Sequence, residues 1–355
     1  MIPFSPRGRE NDRLKEHSFD TAPGLVARLE SVVAEYHERR FAVAFDTPEA
    51  ALTALLHAAV GTGKTLTAGA MGPLYHYTAA AAAGVSLRLS DVRLDGTLFE
   101  KSVAKRTGEA AGAVLEQSFC GIRRDLSALR DAVGERAEIL YDATASLLPV
   151  RHEGAVLWSL REMMPEAAET TGFVLTDDRE TADALRLLRW EGKKEGNLWN
   201  YDLVFKGADS ALSPLGASIA LRQFEGLGHA CERRREIARE LDGRLQRHKL
   251  FDLFSRSEAD VPAGYPLLLT PQLYCPKEDI FRAVRDNGVG IAVCCKPVYK
   301  TAAWREDIRL DITEDFYKAL LQLPCHHRLT EEEVSHTARS FLDAVEKYGY
   351  RGCSF

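Results

Sequence analysis

The sequence predicts an α/β fold, with a mainly parallel sheet in a large domain and a smaller α+β domain at the C-terminus. Three observations favour it: short apolar runs of strand length, helical patterns between those runs, and a change of pattern after a long arginine-rich helical stretch at 219–248. We place the large domain at 1–238 and the small domain at 239–355.

The first apolar run, 41–45, reads FAVAF and is typical of a buried strand. An alanine- and leucine-rich helix is expected to follow it from about 48 to 60. Further strands are predicted at 85–89, 113–115, 138–141 and 173–175, with helices at 126–133 and 180–190 between them. Alternation of this kind predicts a sheet covered by helices on both faces.

The C-terminal part has a different pattern. The helical stretch at 219–248 is interrupted near Gly226 and Gly228 and suits a connection between domains. A strand region at 265–274, a helix near 278–287 and a terminal helix at 331–348 predict a compact α+β unit. Thr330 followed by Glu333 gives that last helix a capping box.

Composition excludes several classes of protein. The 355 residues include 46 lysines and arginines and 52 acidic residues, a net charge of −6, which disfavours a nucleic-acid-binding protein. Without 18 consecutive apolar residues or an apolar leader, we expect neither a membrane span nor a signal peptide. Seven cysteines without framework spacing predict reduced thiols in the cytoplasm.

Two motif-like strings lack the context that their chemistry needs. GTGKT at 61–65 follows a helix, whereas a phosphate-binding loop follows a strand and opens a helix, so a helix-to-strand turn is expected there. Cys294 and Cys295 are adjacent and do not have the spacing of a structural zinc site. We therefore predict no metal site.

Asp142 is the most informative single residue. It follows the predicted strand at 138–141 and should lie at the carboxyl edge of the sheet, where open α/β folds bind ligands. The alternative is an aspartate that only caps the next helix.

Segments spread over almost the whole chain resemble the DegT/DnrJ/StrS family of sugar aminotransferases. The opening MIPF matches a common family start, and FAVA with AAL at 50–52 matches AVAVSSGTAAL. In the middle of the chain, YDAT at 141–144 resembles EDAAQ, GFVLTDD at 172–178 resembles GGMVTTDD, and LRWEG at 188–192 resembles LRxHG. Near the end, LPCH at 323–326 with LTEEEV at 329–334 matches LPxHxxLTxEEV. The resemblance implies a type I pyridoxal-phosphate (PLP)-dependent transferase fold, similar to aspartate aminotransferase, and a homodimer with its site at the subunit boundary.

The lysine that forms a Schiff base with PLP in this family aligns with Met164. A thioether cannot form an imine, and the nearest lysines, Lys193 and Lys194, lie about thirty residues further on. The position of the aromatic residue that stacks on the pyridine ring aligns with Pro73.

The phosphate-binding turn of the family also differs. Pro48 removes a backbone donor, Glu49 adds a negative charge, and Asp209 aligns with an asparagine that reaches the partner subunit's phosphate in the family. From these departures we predict that PLP binding is lost and that the protein has no cofactor.

The residues left at the site are polar and mostly acidic. We expect Asp142, Glu49 and His76 to be the catalytic residues, with Ser159, Asp46, Thr47, Asp209 and Arg161 contacting a ligand. Surplus carboxylates favour a ligand with hydroxyl or amino donors, so a sugar or aminosugar nucleotide is predicted.

Three hypotheses follow for function. The first is a homologue that has lost PLP-dependent transamination and binds a sugar nucleotide or related metabolite, with PLP-independent chemistry open. The second is a non-catalytic partner or regulatory subunit of an active paralogue. The third, which requires a different alignment at Met164, is a conventional PLP-dependent sugar aminotransferase.

Overall fold

The computed structural model describes residues 1–3, 24–107, 111–163, 171–195, 200–246, 248–273, 275–293, 296–304 and 307–349. Met164, Cys294 and Cys295 lie outside the described residues, as does position 274 at the end of the predicted strand region.

Seven strands form the central sheet. They are β1 (Phe41–Phe45), β2 (Thr65–Gly69), β3 (Ser86–Ser90), β4 (Ala111–Gln117), β5 (Glu138–Asp142), β6 (Val156–Ser159) and β7 (Gly172–Thr176). A hairpin of β8 (Lys193–Glu195) and β9 (Tyr201–Leu203) lies apart from it, and β10 (Phe251–Leu253), β11 (Tyr265–Leu269) and β12 (Leu320–Leu323) form an antiparallel sheet.

The helices of the first half are α1 (Leu25–Tyr36), α2 (Pro48–Leu55), α3 (Tyr75–Ala82), α4 (Glu100–Arg106), α5 (Ser127–Val133) and α6 (Arg179–Arg189). Those of the second half are α7 (Pro214–Glu225), α8 (Leu227–Leu245), α9 (Lys277–Asp286), α10 (Asp311–Ala319) and α11 (Glu331–Gly349). A single π-helical turn, Leu56–Val60, extends α2.

The central sheet has the order β1-β7-β6-β5-β4-β2-β3, and β7 runs antiparallel to both neighbours while the other pairs are parallel. The carboxyl ends of β1 to β6 therefore meet the amino end of β7 at one edge. This confirms the predicted mainly parallel sheet and places its functional edge.

Helices cover both faces of the sheet, because alternate side chains of each strand point to opposite sides. On β1, Ala42 and Ala44 join the core cluster that includes α1, α7 and α8, whereas Val43 and Phe45 join the cluster that includes α2, α3 and α6. Such two-sided burial explains why the strand reads as a continuous apolar run.

Helix α8 is continuous through position 238, where we placed the domain boundary. Its C-terminal half contributes Ile237 and Leu241 to the core of the C-terminal unit, beside β11 and α11. The capping box of α11 is confirmed: the backbone N–H of Thr330 donates to Glu333, and that of Glu333 donates to the Thr330 hydroxyl.

Gly172 fixes how closely α2 approaches the sheet edge. A Cβ added there would lie 2.5 Å from the carbonyl oxygen of Thr47 and 2.6 Å from Cα of Pro48, both backbone atoms that cannot rotate away. The start of α2 therefore rests directly on the first residue of β7.

We expect Gly172→Ala to lower the free energy of unfolding by about 2 kcal/mol, because α2 must move away from the sheet. The matched control is Gly243→Ala in α8, where an added Cβ meets no atom within 4 Å. That change should stabilise the chain by about 0.5–1 kcal/mol, since alanine is the better helix former. Equal effects of the two variants in urea unfolding would contradict the packing argument.

Strand β4 carries a carboxylate into the protein interior. Glu116 is 1% exposed and accepts hydrogen bonds from the backbone N–H groups of Leu98 (2.9 Å) and Gln117 (2.7 Å). Burial raises its pKa to about 7, although both amide donors oppose the shift.

Because the folded chain binds this proton more tightly than the unfolded chain, stability should fall as pH rises from about 5 to 7. The loss attributable to Glu116 is up to about 3 kcal/mol. We expect Glu116→Gln to reduce the difference between the unfolding free energies at pH 5 and pH 8. The exposed control Glu135→Gln should leave that difference unchanged. The same slope in both variants would show that Glu116 does not titrate in this range.

Candidate functional site

The candidate site lies at the edge where the parallel strands end. Asp142 is the last residue of β5 and pairs in register with Gln117, the last residue of β4. A cavity of about 250 Å³ opens beside them, lined among others by Pro73, Asp142 and Thr144. None of the described residues that line this cavity is a lysine.

Asp142 is 2% exposed, and its carboxylate accepts four hydrogen bonds. One carboxylate oxygen, Oδ1, accepts from the backbone N–H (2.8 Å) and the hydroxyl (2.7 Å) of Thr144. The other, Oδ2, accepts from the Tyr75 hydroxyl (2.6 Å) and from Nε2 of His76 (2.5 Å). The structure thus joins two of the predicted catalytic residues, Asp142 and His76, which are 66 positions apart.

These donors keep the carboxylate ionised. Burial alone would raise the pKa of Asp142. The hydrogen bond and the charge of His76, together with the hydrogen bonds from Tyr75 and the Thr144 amide, hold the pKa below its ordinary value. Burial and the adjacent Asp142 charge raise the pKa of Tyr75 well above its ordinary value, so its hydroxyl keeps its proton and donates.

The wall behind His76 is closely packed. A Cβ on Gly72 would lie 2.9 Å from Nδ1 of His76 and 3.4 Å from Oε1 of Gln117. Gln117 is itself fixed, because its side-chain amide donates to the carbonyl of Met71 (2.8 Å). The imidazole is therefore held in one orientation toward Asp142.

Ser159 and Arg161 lie near this group without touching Asp142. The buried Ser159 hydroxyl donates to the Thr144 carbonyl (3.3 Å) and accepts the backbone N–H of Arg161 (3.2 Å). Arg161 is exposed, and its charge acts on Tyr75 in the sense that lowers the tyrosine pKa.

The remaining predicted residues form a separate group at the start of α2. Asp46 donates its backbone N–H to the Ser210 carbonyl (3.0 Å) and accepts the Thr47 hydroxyl (3.2 Å). Burial raises the pKa of Asp46, and the nearby Asp209 adds to the shift while hydrogen bonds from Thr47 oppose it. Glu49 is exposed at the first turn of α2.

The α2 terminus offers few amide donors. Pro48 has no N–H, and the N–H of Ala50 donates to the Thr47 hydroxyl (3.1 Å) as a helix cap. Two of the first backbone N–H positions of α2 are therefore not free to bind a phosphate, one because it is a proline and one because it forms the helix cap.

Arg234, a residue of α8, holds the cavity walls in place. Its guanidinium is fully buried and donates to the carbonyls of Glu162 (2.8 Å), Pro262 (3.1 Å) and Ala263 (3.2 Å). Ala263 in turn donates its N–H to the Cys120 carbonyl (2.8 Å). Glu162, Ala263 and Cys120 all line the cavity, so one side chain ties its walls together.

Two other chemistries gain no support from these residues. Burial raises the pKa of the Cys120 thiol far above neutrality, which leaves it a poor nucleophile. Within the described ranges, no three His, Cys, Asp or Glu side chains are grouped so as to hold a metal ion. No helix there is long and apolar enough to cross a bilayer.

Sequence reasoning missed Tyr75 and Thr144 as site residues. Tyr75 begins α3 directly after the turn that follows β2, so it comes from the same sheet edge as Asp142. Tyr75 was missed because 65–69 was not predicted as a strand. With that strand predicted, a tyrosine just beyond its carboxyl end would have been a candidate site residue.

The chain matches the model of the DegT/DnrJ/EryC1/StrS aminotransferase family over residues 11–341. Among curated relatives, a UDP-4-amino-4,6-dideoxy-N-acetyl-β-L-altrosamine transaminase of Campylobacter jejuni is 28% identical over 293 residues, covering 77% of this chain and 78% of the relative. A dTDP-4-dehydro-2,3,6-trideoxy-D-glucose 4-aminotransferase of Saccharopolyspora spinosa is 24% identical over 69% of each chain.

Solved structures share the fold. Helicobacter pylori PseC, an aminotransferase involved in the biosynthesis of pseudoaminic acid, has a TM-score of 0.86 at 19% identity, and the match covers 98% of this chain and 100% of that chain. A candidate sugar aminotransferase from Streptococcus pneumoniae, solved in its PMP-form, also has a TM-score of 0.86, at 17% identity over 98% of this chain and 100% of its own. The type I PLP-dependent transferase fold is confirmed.

The predicted absence of a cofactor is wrong. The family is one of aminotransferases, and the Streptococcus pneumoniae protein is known in both a PMP-form and a PLP-form, so a PLP-type cofactor is expected here. The prediction gave too much weight to charges at the α2 turn, where Glu49 points to solvent and is screened. At the ring end the residues fit: Asp142 is a buried, ionised carboxylate facing a cavity, as a pyridine nitrogen requires.

Family match, fold and the buried carboxylate at the strand ends agree, and the chain belongs to the DegT/DnrJ/EryC1/StrS aminotransferase family.

Proposed function

We propose that the protein binds a nucleotide-linked sugar at the cavity beside Asp142 and acts on it without the lysine-based transamination cycle of its relatives. The observation that carries this is the buried Asp142–His76 pair on a cavity whose described lining contains no lysine. The alignment of Met164 with the family's cofactor lysine supports it. The nucleotide sugars named for the curated relatives support the substrate class.

The cofactor supplies an electron sink when bound, and the chain's residues orient and neutralise it. Asp142 would hold the protonated ring nitrogen. His76 donates its Nε2 proton to Asp142 and keeps the carboxylate in place. Pro73 supplies an apolar wall where the family has an aromatic residue.

A lysine in this family both anchors the cofactor and moves protons. Without it, cofactor binding would be non-covalent. We assign Asp142 and His76 to the inner group, where Asp142 would hold the ring nitrogen and His76 would orient the carboxylate, and we place Glu49, Asp46, Thr47 and Asp209 in an outer group that contacts ligand or cofactor at the α2 terminus. Ser159 and Arg161 complete the inner group.

Borohydride reduction separates this proposal from a conventional aminotransferase. With PLP, L-glutamate and a UDP-linked 4-keto sugar, we expect wild-type protein to bind cofactor, to show no borohydride-stable PLP adduct on any lysine, and to give less than one 2-oxoglutarate per site. Met164→Lys should gain an adduct on the new lysine, located by peptide mass spectrometry.

Met163→Lys is the matched control, because Met163 is 3% exposed in the core against α7 and α8 and should gain no adduct. A reducible lysine adduct in wild-type protein, or many turnovers of glutamate, would establish conventional transamination instead.

A second copy of the chain, or an active paralogue, is the partner that we propose for the β8–β9 hairpin. Large apolar side chains stand exposed there: Trp190 (57%), Tyr201 (68%), Leu203 (60%) and Val204 (41%). Several such residues together are typical of a protein interface. The family resemblance supports this choice, because the family loop that aligns with 207–211 reaches the partner subunit's phosphate.

We expect the double change Tyr201→Ser and Leu203→Ser to lower the apparent mass in light scattering from dimer toward monomer. The control Leu94→Ser removes an apolar side chain that is 49% exposed elsewhere and should leave the mass unchanged. A dimer that survives the hairpin changes at micromolar concentration would exclude this surface as the interface.

A further inference from the structure

The carboxylate of Asp142 has no acceptor position to spare. An ionised carboxylate offers about four lone-pair sites. Thr144 fills both sites of Oδ1 with its amide and hydroxyl, and Tyr75 and His76 fill those of Oδ2, at 2.5 to 2.8 Å. A ring nitrogen that donates to Asp142 would be a fifth donor.

One of the four donors can leave at small cost. The Thr144 amide is backbone two residues away, and His76 is packed against Gly72, where an added Cβ would lie 2.9 Å from its Nδ1. The Tyr75 hydroxyl differs, because the Thr144 hydroxyl oxygen lies 2.7 Å away and can accept the tyrosine proton when Tyr75 releases Asp142. Tyr75 is also the first residue of α3 and is partly exposed.

We propose that Tyr75 competes with the cofactor's ring nitrogen for Asp142 and so sets the affinity for a PLP-type cofactor. The inference rests on the proposed function, in which Asp142 holds that nitrogen. It makes Tyr75 a specificity-determining residue: cofactor binding moves its hydroxyl from Asp142 onto Thr144. Oδ2 of Asp142 would then accept a hydrogen bond from the cofactor's ring nitrogen in place of the Tyr75 hydroxyl.

Phenylalanine tests this role with little change in packing. Tyr75→Phe removes only the competing hydroxyl and retains the ring, whose centroid lies 5.1 Å from that of His76 in an edge-to-face contact. The control is Tyr36→Phe, which also removes a hydroxyl bonded within the chain, to the carbonyl of Leu147 (2.8 Å). Tyr36 packs against the core cluster that includes α1, α7 and α8, whereas Tyr75 packs against the cluster that includes α2, α3 and α6.

The measurement is calorimetric titration of the full-length protein with pyridoxamine 5′-phosphate (PMP) and with its carbocyclic analogue, in which a C–H replaces the ring nitrogen. Tyr75→Phe should bind PMP about tenfold more tightly than wild type, the scale of one hydrogen bond to a charged group. It should bind the analogue no better than wild type does, and Tyr36→Phe should match wild type for both ligands.

Wild-type protein gives a second readout that does not depend on how a variant folds. With Tyr75 on the acceptor, PMP and the carbocyclic analogue should bind within about threefold of each other. Unchanged or weaker PMP binding by Tyr75→Phe, an equal gain for the analogue, or PMP binding by neither protein would each overturn the inference. The proposed function is tested separately, by measuring nucleotide-sugar binding and glutamate turnover with wild-type protein.

Discussion

A buried charge governs the structure around the site. Asp142 is almost fully buried and ionised, and an unpaired carboxylate in that position would be too costly to keep. The chain compensates with donors from two segments: the end of β5 continues into Thr144, while the turn after β2 brings Tyr75 and His76. The parallel order of β2, β4 and β5 is what allows these segments to meet, because it sends the chain out of each strand at the same edge.

The second constraint is Arg234, which couples the C-terminal unit to that edge. Its position in α8 places a guanidinium among backbone carbonyls from both units, and it also lies 3.7 Å from the Glu162 carboxylate. Gly121 shows how tight the junction is: a Cβ there would lie 2.6 Å from the Ala145 carbonyl and 2.7 Å from that of Val261. The cavity is therefore bounded by segments that cannot move independently.

A strand was predictable where it reads as an uninterrupted apolar run between turn residues, but burial on both faces was not sufficient, because β2 and β6 are buried throughout and were not predicted. β1 and β7 read as uninterrupted apolar runs, whereas β2 contains two threonines that are buried in the structure, and its polar letters hid it. Within the site, Asp142 was predictable because it ends such a run. Its pairing with His76 was not, because it depends on how α3 is set on the sheet. Glu49 lies at the exposed first turn of α2, a position that helix geometry decides, and its predicted catalytic role stays a prediction.

The donors that keep Asp142 ionised also limit what a cofactor gains from it. Four hydrogen bonds already solvate the carboxylate, so a ring nitrogen exchanges one donor for another and adds little net free energy. Affinity must then come from the ring faces and the phosphate. Pro73 lines the cavity, and the N–H of Ala50 at the α2 terminus already donates to the helix cap. If the proposed loss of the Schiff-base lysine holds, these contacts alone would retain the cofactor, and its binding would be reversible. Occupancy of such a site would then depend on the surrounding concentration of cofactor.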